Sequence, residues 1–145
     1  MVEFNFQKAV TLQKRKRLKQ FIQDMILDEK NVSAAISFVF CSDDYLLEIN
    51  RSYLNHDYFT DIITFDLSDS KSTTITSEIY ISVDTVRSNA ARFGQSFQRE
   101  LHRVVFHGVL HLCGYGDKTP KEKKRMTALE DKYLQSYFAV PRETE

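Results

Sequence analysis

A mixed four-stranded β-sheet covered by about five helices, in the α/β (α+β) class, is the fold this chain predicts. Three observations carry that prediction. Short β-rich runs alternate with helical stretches through the first half of the chain, which favours crossover connections and parallel pairing. Two later β-rich runs are separated only by a polar Ser/Thr-rich segment, which favours an antiparallel pair. The second half is then almost continuously helical in its periodicity. With 145 residues, 11 Phe, 7 Tyr and no Trp, the chain is expected to form one domain over residues 1–145, long enough to bury a sizeable core.

The elements follow in order. Residues 2–6 alternate apolar with polar and predict a strand. Residues 11–27 predict a helix whose stripe is Leu12, Leu18, Phe21, Ile22, Met25 and Ile26. Residues 32–40 are β-branched and aromatic and predict a second strand. Residues 43–54 predict a helix with Leu46, Leu47, Ile49 and Asn50 on one side. Residues 61–67 and 78–83 predict two further strands, with 68–76 as the loop between them. A helix over 84–93 ends at Gly94, and another runs over 96–112. Thr119-Pro120-Lys121-Glu122 carries a hydroxyl cap, proline at the first helical position and glutamate three residues after the cap. The helix it starts carries Met126, Leu129, Tyr133 and Leu134 toward an apolar end at 137–140. A helix between the first and second strands, and another between the second and third, predicts parallel pairing at both places.

The chemistry concentrates in His107-Gly-Val-Leu-His111-Leu-Cys-Gly-Tyr-Gly-Asp117. Histidines four residues apart on a helix lie about 40° apart around the axis and about 6 Å apart along it, so both imidazoles reach one ion. Gly114 supplies a residue that tolerates positive φ and ends the helix, Gly116 allows a second bend, and Asp117 returns as a third ligand. Three of the four glycines fall within these eleven residues. Three protein ligands and an open fourth position describe catalytic zinc, with a water on the ion as the expected nucleophile. Imidazole and carboxylate suit zinc, one per chain, or another divalent transition metal, better than magnesium or calcium. A His-x-x-x-His pair also arises by chance in helices, and the bland reading is a pair of surface histidines. In His-Glu-x-x-His peptidases a glutamate general base follows the first histidine. That position here is Gly108, so peptidase chemistry of that type is excluded.

These residues resemble the signature of the YbeY endoribonuclease family, His-Gly-x-Leu-His-Leu-x-Gly-Tyr-Asp-His, at His107, Gly108, Leu110, His111, Leu112, Gly114 and Tyr115. Thr60-Asp61-Ile62-Ile63-Thr64-Phe65 and Glu78-Ile79-Tyr80-Ile81-Ser82 resemble its two preceding strands, and Glu100 falls where it carries a glutamate. The similarity spans roughly residues 40 to 140. It implies a zinc-dependent, single-strand-specific endoribonuclease acting in maturation of the 16S ribosomal RNA 3' end and in ribosome biogenesis. It also implies a cytoplasmic location, with single-stranded RNA as partner and the small ribosomal subunit as a candidate partner. A non-catalytic RNA-binding assembly factor with a structural metal is the alternative. Two departures are visible. The third ligand of the family is a histidine and here is Asp117, and an arginine that follows a tyrosine in the family is here Leu54, after Tyr53. Arg51 and His56 are the candidates to replace that arginine.

Charge bounds the reading. Lys+Arg and Asp+Glu are both 20, so a basic excess for nucleic acid is absent and only a local patch can serve. The run Lys14-Arg15-Lys16-Arg17-Leu18-Lys19 and the run Lys121-Glu122-Lys123-Lys124-Arg125 read first as solvated faces. The second begins four residues after Asp117, which makes Lys123, Lys124 and Arg125 candidate phosphate contacts. Tyr45, Tyr53, Tyr58 and Phe59 read as core residues first and as base-stacking rings second. Cys113 reads as small core filler, and two cysteines without a secretory segment predict reduced thiols. No stretch of 18 apolar residues occurs, so no membrane partner is expected.

Overall fold

The computed structural model describes residues 1–69 and 73–139, which form β1 (Val2–Phe6), α1 (Arg15–Lys30), β2 (Ser33–Cys41), α2 (Asp43–Leu54), β3 (Ile62–Asp66), β4 (Thr74–Ser82), α3 (Val83–Arg92), α4 (Phe97–Leu112) and α5 (Pro120–Phe138). The central part of the loop read over 68–76, and Val140 at the end of the last helix, lie outside the described residues. The sheet has the order β1-β2-β4-β3. β1 and β4 run parallel to β2, and β3 runs antiparallel to β4.

The expected parallel pairing of the second and third strands is therefore corrected. β4 takes the place beside β2, in nine-residue register from Ser33↔Thr74 to Cys41↔Ser82. β3 is left on the edge with five residues. The reason is length and burial: β4 matches β2 residue for residue and buries Ile79 and Ile81 completely, which the shorter β3 cannot do. Thr74 to Thr76, read as the end of the loop, belong to β4, as does Ser77. Ser77 there donates its hydroxyl to the Phe65 carbonyl at 2.7 Å.

Helix ends also moved where backbone signals override periodicity. α1 begins only at Arg15, because Lys14 sits in the left-handed region at φ 51°, and it continues to Lys30, where Asn31 at φ 56° ends it. α5 starts where its sequence predicts, with both arms of the Thr119/Glu122 capping box in place.

One face of the sheet carries the main core. Phe38, Phe40, Ile36, Ile79 and Ile81 pack there with Leu18, Ile22 and Ile26 of α1 and Leu101, Val105 and Val109 of α4. Burying each such side chain is worth about 1.5–3 kcal/mol. A smaller core of Cys41, Leu46, Ile49 and Ile63 lies between the opposite face and α2. All five cations of the first basic run are exposed, as a solvated face requires, and two of them also lie over rings: the Arg15 guanidinium is 4.3 Å from the Phe6 ring centre and that of Arg17 4.3 Å from the Tyr137 ring centre. No described helix is long and apolar enough to cross a membrane.

Candidate metal centre and its cleft

α4 lies close enough to the sheet that a Cβ added at Gly108 would stand 2.9 Å from Ile62 Cδ1 and 3.2 Å from Ile79 Cδ1. Glycine at this position admits that approach, and it sets His107 and His111 at the mouth of the cleft beside β3. Gly114 takes φ 99° and turns the chain out of the helix. Gly116 does not adopt positive φ. It is needed for room instead, since a Cβ there would meet the Glu122 carboxylate at 2.9 Å.

These constraints gather three ligand atoms. His107 Nε2 and His111 Nε2 are 2.9 Å apart, and Asp117 Oδ2 is 3.2 Å from the first and 3.4 Å from the second. His107, His111 and Asp117 are the group that could hold an ion among the described residues. The orientation of each ring is fixed from behind. His107 Nδ1 donates to Glu130 Oε2 at 2.6 Å, and His111 Nδ1 donates to the Tyr115 carbonyl at 2.8 Å. With both Nδ1 hydrogens so used, the two Nε2 lone pairs face each other, which is repulsive unless a cation lies between them. Bonds of about 2.0–2.1 Å to tetrahedral zinc separate neighbouring ligand atoms by about 3.3 Å, so the observed triangle has the right size.

The electrostatics agree. Burial pushes the His107 imidazolium down, but the Glu130 hydrogen bond and the charges of Glu130, Asp117 and Asp61 outweigh it and leave its pKa raised. Burial holds the Asp61 and Glu100 carboxyls above their usual range. Arg103 bridges Glu130 at 2.9 Å and Asp131 at 2.6 Å from the next turn of α4. Surplus negative charge under two imidazoles is an environment that a divalent cation relieves.

The cleft holds about 520 Å³ and runs from the three ligands along β3 to α2, past Thr64, Asp61, Asn50, Leu54 and His56. His56 lines it, stacked on Tyr58 at 5.1 Å with Nδ1 3.0 Å from the phenol oxygen. Arg51 lies outside it, exposed and paired with Asp57. Lys123, Lys124 and Arg125 are exposed on α5 and do not line the cleft, and the Arg125 guanidinium sits 5.2 Å from the Tyr115 ring centre. Leu54 occupies the wall where the sequence lacked an arginine. Among the described residues, no Lys or Arg lines the cleft. The core reading of Tyr45, Tyr53, Tyr58 and Phe59 is overturned, because all four are exposed.

Two contributors escaped the sequence reading. Glu130 is 7% exposed at a position that continues the Met126, Tyr133, Leu134, Tyr137 stripe. A carboxylate in an apolar stripe was the signal. Asp61 lies in a segment already noted, with nothing local to mark its role. Cys113 fills core as expected, its thiol pushed by burial up to about 11. His102 is buried with its ring stacked 5.1 Å from Tyr137 and donates Nδ1 to the Gln98 carbonyl, so it belongs to the core and not to the cleft.

The family model for "Endoribonuclease YbeY" matches residues 2–138. The chain belongs to the YbeY endoribonuclease family. Relatives named Endoribonuclease YbeY include that of Phocaeicola vulgatus, 57% identical over 99 residues that cover 68% of this chain and 70% of the relative. That of Flavobacterium psychrophilum is 41% identical over 137 residues, covering 94% and 96%. A solution structure of TM1509 from Thermotoga maritima superposes over the full length of both chains with a TM-score of 0.66 at 25% identity. The sheet of mixed strands under five helices is thus a YbeY fold. The class of enzyme expected from the sequence, a nuclease and so a hydrolase, is that of the family.

Proposed function

We propose that the chain is a zinc-dependent endoribonuclease that cuts single-stranded RNA, with the 3' end of 16S ribosomal RNA as its target during maturation of the small ribosomal subunit in the cytoplasm. The observation that carries this reading is the His107, His111, Asp117 triangle opening onto a cleft of about 520 Å³. The donor set fits zinc, and three protein ligands leave one side of the ion for substrate, whereas a structural zinc is usually closed by a fourth. An ion held there supplies a Lewis acid for a phosphoryl oxygen and offsets the charge that develops on it.

The chain's own residues do the rest. His107, His111 and Asp117 hold the ion. Glu130 and the Tyr115 carbonyl keep both rings in the tautomer that presents Nε2. Arg103 keeps Glu130 in place. Asn50 donates its amide to the Tyr58 carbonyl at 2.8 Å and so shapes the loop that carries His56 and Tyr58 along the cleft. Among the described residues no Lys or Arg lines the cleft, so phosphate contact within it would fall to an ion held there and to His56, while Arg51, Lys123, Lys124 and Arg125 can meet the strand only outside it.

An assembly factor with a structural metal is the competing reading, favoured by Leu54 in place of an arginine. Cleavage of a single-stranded RNA carrying the 16S 3' end separates the two. His111→Ala is expected to keep the fold, by circular dichroism, and to abolish turnover. Loss of the fold in that variant, or cleavage by wild type that survives chelation, would refute the catalytic reading. Metal analysis of freshly purified protein is expected to give about one zinc per chain.

A further inference from the structure

A second recess lies on the other side of β3 from the metal ligands. It holds about 300 Å³ and is walled by Tyr45, Tyr53, Phe65, Tyr80, Leu67 and Glu78. It shares α2 and β3 with the cleft, though no lining residue. On α2, Asn50 and Leu54 face the cleft while Ile49 and Tyr53 face the recess, and on β3 Ile63 lines the cleft and Phe65 the recess. We propose that this recess is a nucleobase subsite, which takes one unpaired base of an RNA strand running through the cleft. The proposal rests on the endoribonuclease reading for the identity of the strand.

The walls are built to receive a flat ring. Tyr53 and Phe65 meet edge to face, with centres 6.1 Å apart at 78°, and Phe65 and Tyr80 do so at 5.8 Å and 86°. An edge-to-face contact covers one face of one ring and leaves the faces of the other uncovered by that contact. Tyr53 is 73% exposed, and Leu67 is 55% exposed at the rim. Apolar rings left in water at this extent beside a substrate cleft are a stacking platform for a base taken out of its own stack.

The one carboxylate decides between ligands. Glu78 Oε1 accepts from the Tyr80 phenol at 3.1 Å, and a carboxylate can accept further hydrogen bonds from an N–H. Among the described residues no Lys or Arg lines the recess, and a phosphate would meet Glu78 with like charge. A planar ring carrying an exocyclic amine meets both features, its face on Tyr53 and its amine on Glu78. The recess therefore favours adenine, cytosine or guanine over uracil.

The test uses the full chain loaded with zinc and phosphorothioate-linked RNA, which resists cutting, so that the strand is held with the metal site intact. The probe is a short single strand containing one 2-aminopurine, an amine-bearing fluorescent base that darkens on stacking. Binding is expected to quench it. Tyr53→Ala is expected to weaken affinity about thirtyfold, the middle of the range for losing one base stack, and to remove the quenching. Tyr53→Phe keeps the ring and is expected to retain both. Glu78→Gln, which keeps size, is expected to reduce the preference for oligo(A) or oligo(C) over oligo(U). Unchanged affinity and quenching with Tyr53→Ala would overturn the subsite. So would sedimentation showing that Tyr53→Ala splits a dimer while RNA affinity stays the same, which would make the recess a seat for a second copy. Cleavage by wild type without any dependence on Tyr53 refutes the subsite alone, whereas Tyr53-dependent binding without cleavage by wild type refutes the nuclease reading and leaves the subsite standing.

Discussion

Replacing Glu130 by glutamine tests whether the ion is tuned from behind its ligands. The carboxylate is 7% exposed, accepts from His107 Nδ1 at 2.6 Å and pairs with Arg103 at 2.9 Å. Glutamine keeps an oxygen to accept the Nδ1 hydrogen, so the tautomer of His107 is preserved while the negative charge behind the ring is lost. A less basic imidazole donates less to the ion. Removing such partners of a ligand costs about 10–100-fold in metal affinity, or about 1.4–2.7 kcal/mol. Alanine removes the acceptor as well and strips Arg103 of its buried partner. Breaking a buried pair costs about 3–5 kcal/mol, and a smaller loss of about 1–3 kcal/mol is expected here, because Asp131 still holds the guanidinium. The two effects separate in two assays, zinc competition against a chromophoric chelator and urea unfolding of the metal-free protein. Glu130→Gln should move the first far more than the second, and Glu130→Ala should move both. Zinc affinity within twofold of wild type in Glu130→Gln would refute the argument and reduce Glu130 to an anchor for Arg103.

Two further outcomes follow from the same geometry. Asp117→Ala leaves two ligands of three and should weaken zinc retention by more than about 100-fold, the upper range for a residue that only supports a ligand; Asp117→His should keep metal and fold and shift the pH–rate profile to lower pH, since a neutral ligand leaves more positive charge on the ion. Zinc bound as tightly by Asp117→Ala as by wild type would remove Asp117 from the site. Far from it, hydrogen bonds from Lys8 and from the Asp43 backbone N–H hold the Asp84 carboxyl below its usual range. A lowered folded pKa gives stability that is present above the unfolded value and is lost as pH falls through the folded one. Asp84→Asn should therefore cost about 1 kcal/mol in urea unfolding at pH 7 and progressively less below about pH 4, and an equal loss at pH 7 and pH 3 would show that the pair adds nothing.

What the sequence disclosed divides by how local the physics is. The Thr119/Glu122 box and the Gly114 turn are written within a few residues, and both appear where they were read. His107, His111 and Asp117 span eleven residues on one helix and its exit loop, so their convergence was legible as well. Strand order was not, because pairing is a contest between distant segments. The polar look of Thr74-Ile75-Thr76 suggested loop, while in the sheet these residues lie opposite Ser33 to Ala35 and complete the register that excludes β3. Glu130 reaches His107 from 23 positions along the chain. It stands beside the Met126, Leu129, Tyr133, Leu134 stripe read from the sequence, which does not include it, and only the fold shows which ring it meets.

Net charge concealed the site's character for a similar reason. Twenty cations and twenty anions sum to zero, but they are not distributed evenly. The cleft is lined by Asp61, Asp66 and Asp117, among the described residues no Lys or Arg lines it, and Glu130 lies behind it. Several cations of the basic runs are meanwhile held over Phe6, Tyr137 and Tyr115. On the proposed reading a divalent ion held by His107, His111 and Asp117 would offset two of these carboxylates where a phosphate chain approaches. Leu54 in place of an arginine is then compatible with catalysis, because such an ion would supply the positive charge and leave the Leu54 wall free to be apolar.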